Sequence, residues 1–128
     1  MQRTNVYTGT PWEARVAYCR AKRVGNVIAV SGTTAVDERG TVVGTNTYEQ
    51  TRFVLQKIAR ALEELGAGVA DVVRTRTFLT NISAFDEFAR AHHEAFRGID
   101  PAATCVEVSR LVTPELLVEI EVDAMIDA

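Results

Sequence analysis

The last third of the chain narrows its possible folds more than any other stretch. Residues Pro101 to Leu111 and Leu117 to Asp123 both alternate apolar and polar side chains with the period of two that a strand requires. The first run carries Cys105 and Glu107, and the second sets Glu119, Glu121 and Asp123 on a single face. Three acids aligned on one strand form either a solvated face or the wall of a site.

Upstream, strands and helices alternate. Ala17 to Val24 and Asn26 to Gly32 read as two short strands joined at Gly25, the second with the nearly apolar run Val27 to Val30 of a strand buried on both faces. Asp37 to Gly40 is a turn before Thr41 to Val43. A helix is expected from Thr47, where Thr47 and Gln50 have capping-box spacing, and Val54, Ile58, Ala61 and Leu65 recur at helical intervals up to Gly66. Asp71 to Thr80 alternates again as a strand. Ser83 is the expected cap of a second helix, with Phe85, Phe88, His92 and Phe96 on one stripe and Gly98 closing it before Pro101. The order implies an α/β (α+β) layer, a mixed sheet with two helices packed on one face.

Length and composition bound the rest. At 128 residues, with three prolines and no low-complexity run, the chain reads as a single domain over residues 1–128 with no internal repeat. It shows neither the apolar core of a signal peptide nor a run near the roughly 20 apolar residues that span a bilayer, so the expectation is a cytoplasmic protein with no membrane partner. Cys19 and Cys105 are far apart and lack metal-ligand spacing, which points to reduced thiols. A net charge of −3 gives no basic field to release counterions, which argues against a nucleic-acid partner. No cofactor or metal is expected: adjacent helical residues His92 and His93 point about 100° apart and are poorly placed to chelate one ion.

Pro101-Ala-Ala-Thr-Cys105-Val-Glu107-Val and Val118-Glu119-Ile-Glu121 resemble the C-terminal signature of the Rid family, also called YjgF or L-PSP endoribonuclease-like, in which Pro-Ala-Arg-x-Cys-Val-Glu-Val and Val-Glu-Ile-Glu frame the active site. Val24 to Gly32, Gln50-Thr51, Leu62 to Ala67, Asp71 to Arg74 and Thr77 to Leu79 resemble further family positions in the same order. The resemblance implies a chorismate-mutase-like fold, a homotrimer, and small-molecule sites in clefts between subunits. It also implies that the strand over 71–80 lies between the last two strands, so that Arg74 and Arg76 would face Glu119 and Glu121.

Carried over residue by residue, the resemblance makes Glu119 the acid that positions an attacking water, a general base if burial raises its pKa. The alternative is an ion pair with a strand arginine; for Glu107 and Glu121 the expected role is such an ion pair or a solvated face. Tyr18 and Ser31 match pocket-lining family residues, against packing and a backbone hydrogen bond as their ordinary roles. Cys105 matches the family cysteine beside the ligand, with no histidine placed by sequence to activate it. The family's helical asparagine has no clear counterpart among Arg90 to His92.

Departures matter as much. In active family members the motif arginine holds the substrate carboxylate in a bidentate contact, whereas this chain has Ala103. Such a loss is worth a few kcal/mol, since hydrogen bonds to charged groups contribute about 1.5 to 3 kcal/mol each. Arg20 is two residues beyond Tyr18, on the same face of the expected strand, where the family often has Gln. It is either a displaced substrate-binding cation or a surface arginine. Thr33 and Lys57 also replace the usual Gln and Asn. Three functions follow for comparison: hydrolysis of an imine or enamine, a ligand-binding trimer without catalysis, and RNA cleavage. The acidic charge and the lack of a His-His or His-Lys set count against the last.

Overall fold

The computed structural model describes residues 1–127. Six strands, β1 (Arg3–Val6), β2 (Ala21–Val24), β3 (Val27–Thr34), β4 (Val72–Leu79), β5 (Ala102–Glu107) and β6 (Val118–Met125), form one sheet in the order β1-β2-β3-β6-β4-β5. All neighbours are antiparallel except β4 and β5. Those two run parallel because helix α3 (Phe85–Phe96) provides the crossover between them. As expected, β4 separates β5 from β6, so the two C-terminal strands are not a hairpin.

Helix α2 (Thr47–Glu64) lies on the sheet with Val54, Leu55, Ile58, Ala61 and Leu62 buried, one apolar stripe at helical spacing. The sheet's matching face is the alternate set Val118, Ile120, Val122 and Ala124 of β6 with Ile28 and Val30 of β3. Truncating Ile58, 1% exposed, to alanine would cost about 2–5 kcal/mol. α2 and α3 pack together on this side. The opposite face carries Val27 and Met125, both about half exposed, and the charged residues of β4 and β6. Strand β5 is an exposed edge.

Several local expectations are corrected. The segment ahead of β2 is not strand: Pro11–Val16 form a short helix α1, started by Pro11 in its first turn and ended by Ala17 at φ 69°. Tyr18 and Arg20 therefore do not share a strand face. Helix α2 is capped by Asn46, whose side chain accepts from the Glu49 N–H, rather than by Thr47. Gln50 instead donates to the Gly44 and Glu115 carbonyls and accepts from the Leu117 N–H. Asn81, not Ser83, caps the 3-10 turn Ile82–Ala84 that leads into α3. Thr41 to Val43 contributes only the bridge between Val36 and Val42. Among the described residues no helix is long and apolar enough to cross a membrane.

Candidate functional site

Alternation along β6 settles which acids pair and which does not. Val118 and Ile120 turn into the core, so Glu119, Glu121 and Asp123 stand on the open face. Arg76 lies opposite Glu121 and reaches both Glu121 and Asp123 at 3.3 Å, while Arg74 lies opposite Asp123 at 4.0 Å. The expected facing of Arg74 and Arg76 is thus displaced along the strand by one side-chain repeat. Phe78 lies opposite Glu119. Glu119 consequently has no ion pair among the described residues. Glu107 forms no ion pair among the described residues; it is exposed and accepts from the Ile82 N–H at 2.9 Å.

Glu119 is half-buried and its carboxyl lies against Gly32 across the β3–β6 boundary. A Cβ at position 32 would come within 3.0 Å of the Glu119 Cδ and would overlap Oε2. Burial pushes the Glu119 pKa up; Arg20 pulls it down and Glu121 raises it further. The result is a carboxyl above the ordinary glutamate range, with the proton affinity wanted in a general base.

Near this acid the structure brings Ser31 and Arg20, with Tyr18 beside Arg20. The Ser31 N–H donates to the Arg20 carbonyl and its hydroxyl donates to the Cys19 carbonyl at 2.8 Å. The guanidinium of Arg20 lies 5.5 Å from the Tyr18 ring centre. At 6% exposure, Arg20 is not a surface arginine.

Ala103 and Cys105 belong to a different place. Ala103 pairs with Thr75, and Cys105 with Thr77, both buried threonines whose β6 partners Val122 and Ile120 face the helices. Ala103 and Cys105 therefore line a pocket of about 450 Å³ between β5 and α3, with Phe85, Phe88, His92 and Phe96. Burial raises the Cys105 thiol pKa, which keeps it protonated and agrees with its reading as a non-nucleophile. The six candidates thus fall into two groups, Tyr18, Arg20, Ser31 and Glu119 in one and Ala103 and Cys105 in the other. Glu119 of β6 and Ala103 and Cys105 of β5 stand on opposite faces of one sheet.

Comparison with known proteins gives this arrangement its context. The profile of the family Endoribonuclease L-PSP matches residues 8–126. The chain belongs to that family. An uncharacterised protein of Streptomyces coelicolor is 34% identical over 119 residues, 93% of this chain and 89% of that protein. A RutC family protein of Pyrococcus abyssi is 38% identical over 105 residues, 81% of this chain and 82% of its own. Among solved structures, a Mycobacterium tuberculosis member of the YjgF/YER057c/UK114 family superposes with a TM-score of 0.91 at 43% identity, covering 98% of this chain and all of that one. A Yersinia pestis protein of the conserved Rid family gives 0.85 at 29% identity, covering 98% and 100%. The fold is accordingly the chorismate-mutase-like fold of this family, whose architecture is homotrimeric.

His92, a core or interface histidine by its place on the apolar stripe of α3, and Lys57, a family departure, each have specific partners in the structure. His92 Nε2 lies 3.0 Å from the Thr75 hydroxyl and its ring stacks between Phe88 and Phe96, with centroids 5.3 and 4.7 Å away. Burial lowers its pKa. The alternation of β4 turns Thr75 toward the helices, a usable signal once α3 was known to cover it. Lys57 was noted only as a departure, yet its ammonium donates to the Thr34 and Val36 carbonyls directly behind the strand that pairs with Glu119. Among the described residues no group of three or more His, Cys, Asp or Glu could hold a metal ion.

Proposed function

We propose that this protein hydrolyses small imines or enamines in the cytoplasm, in clefts between the subunits of a homotrimer. Water adds to the imine carbon, the nitrogen gains a proton, and collapse of the carbinolamine releases ammonia and leaves a carbonyl. Glu119 takes the proton from water and returns it to nitrogen, a shuttle suited to a carboxyl whose pKa burial has raised. One subunit supplies Glu119 with Tyr18 and Ser31, and its neighbour supplies the pocket of Ala103 and Cys105. The observation that carries this reading is the unpaired, half-buried Glu119 against Gly32, beside two acids that are both ion-paired.

Separation of the two residue groups supports a site shared between chains, as does the uncovered sheet face with its exposed β5 edge. Ala103 has no charge to hold a substrate carboxylate, so turnover of carboxylate-bearing imines should be slow. That same alanine favours one alternative, a ligand-binding trimer without catalysis. Turnover of 2-iminopropionate and 2-aminoacrylate decides between them. Slow hydrolysis lost in Glu119→Gln supports the enzyme, and ligand binding with no hydrolysis supports the alternative.

A further inference from the structure

Beside helix α2 lies a second pocket, of about 200 Å³, bounded by the N-terminal segment, the loop after β3 and α2. It does not include Ala103, Cys105 or Glu119. Three cations, Arg20, Lys57 and Arg60, line it. Arg20 is 6% exposed, its Nε is buried without a hydrogen-bond partner, and no carboxylate of the described residues lies within ion-pair distance of it. Thr10 also lines the pocket, and its buried Oγ1 has no hydrogen-bond partner.

Glu119 feels the charge of Arg20 but lies beyond ion-pair distance and outside the pocket, and the other nearby acids are committed elsewhere or face solvent. Glu13 accepts from the Thr8 N–H and hydroxyl and from the Gly9 N–H, and Asp37 accepts from the Arg39 and Thr41 N–H groups. Glu38 and Glu64 are exposed. The Lys57 ammonium uses two carbonyls, which leaves a third donor. Burial and the charge of Arg20 lower the Lys57 pKa to about 8, against weaker opposing effects of Glu13 and Asp37. Two cations that repel each other inside a half-buried pocket, one with its Nε buried and unpartnered, are costly unless they share an anion.

We propose that this pocket binds a small oxyanion, a carboxylate or phosphate group, between Arg20 and Lys57, with the Thr10 hydroxyl as a further donor. Its size suits an anion of a few heavy atoms, being smaller than the roughly 300–1,000 Å³ of pockets for drug-sized ligands. The site shares Arg20 with the surroundings of Glu119, but neither Glu119 nor the β5 pocket lines it, so anion binding can be measured apart from hydrolysis.

Calorimetric titration of the intact protein with acetate and with inorganic phosphate tests it, and their relative affinities separate a carboxylate site from a phosphate site. Saturable binding at roughly millimolar dissociation constants or tighter is expected. Arg20→Gln and Lys57→Asn should each weaken it at least about tenfold, the loss of a charge-assisted contact. With acetate, which stays ionised throughout, wild-type affinity should fall as pH rises through 8 and Lys57 loses its proton. This second reading needs no variant. Absence of saturable binding to either anion overturns the proposal. So does binding that is insensitive to both substitutions or flat with pH, or a crystal structure of the assembly in which a neighbouring subunit's carboxylate pairs with Arg20.

Discussion

Gly32 and Glu119 meet across two adjacent strands so closely that the glycine's missing side chain is the space the carboxylate occupies. The conformation at Gly32 is not one of the left-handed glycine positions, so substitution there acts through the contact and not through the backbone. Gly32→Ala should displace the carboxylate and cost about 1–3 kcal/mol, the range for overpacking a tight site. Hydrolysis should fall with it. Thermal melting alongside turnover checks both, and a variant as active and as stable as wild type would remove Glu119 from its assigned position.

Glu119→Gln separates function from stability. A carboxyl whose folded pKa is raised above its unfolded value contributes stability that is full below the unfolded pKa and lost as pH rises through the folded pKa. At neutral pH the charged form is therefore disfavoured by burial, and the amide should leave the melting temperature unchanged or slightly higher. Turnover should drop at least about a hundredfold, in line with the loss of a general base. The acid limb of the wild-type kcat/KM profile should lie above the ordinary glutamate value and vanish with the variant.

Arg76, in contrast, is structural. It is the shared partner of Glu121 and Asp123, on a partly exposed face, so Arg76→Ala should cost only about 0–1 kcal/mol for each ion pair lost, read by chemical denaturation. Glu121→Gln should leave the rate of hydrolysis near wild type. A collapse of activity in Glu121→Gln with none in Glu119→Gln would reverse the two roles.

His92 gives a pH signature opposite to that of Glu119. Burial depresses its folded pKa, so stability is full above the unfolded value near 6.5 and is lost as pH falls below it. His92→Phe should flatten that acid loss. It should also cost about 1–3 kcal/mol near neutrality by leaving the buried Thr75 hydroxyl unpaired. Melting curves from pH 5 to 8 for both proteins check this.

Ala103→Arg should raise kcat/KM on 2-iminopropionate at least about tenfold, equivalent to about 1.4 kcal/mol of transition-state stabilisation. The arginine would enter the pocket beside Phe96 and His92 and supply the carboxylate contact that alanine lacks. A wild type already fast on this substrate, or a folded variant with no gain, would show that the anchor lies elsewhere.

The strands of the second half were legible because their alternation is strict: Val118, Ile120 and Val122 fix which face of β6 is core, and Glu119, Glu121 and Asp123 follow. Placement of β4 between β5 and β6 came from the family resemblance, since nothing local forbids a hairpin there. The segment ahead of β2 reads as strand because Ala17 to Val24 carries no Gly or Pro to break it; Pro11 is the sequence signal for the helix, and its left-handed end falls on Ala17, where no glycine announces it. Burial of Arg20 is illegible for a related reason: it depends on the approach of α2 and the N-terminal segment to a residue type that suggests surface. That Ala103 and Glu119 lie on opposite faces follows from register alone, but only once β4 is known to intervene.

Subunit complementation tests the shared cleft most directly. Glu119→Gln disables one half of the proposed site, and Ala103→Trp should fill the β5 pocket and disable the other, so each variant alone should be inactive. Refolded together at equal ratio, mixed trimers would hold clefts built from the intact Glu119 of one chain and the intact pocket of its neighbour, about a quarter of all clefts if assembly is random. Recovery of about a quarter of the wild-type rate is the predicted result. Two folded, co-assembled variants that remain as inactive together as apart would contradict a site shared between chains.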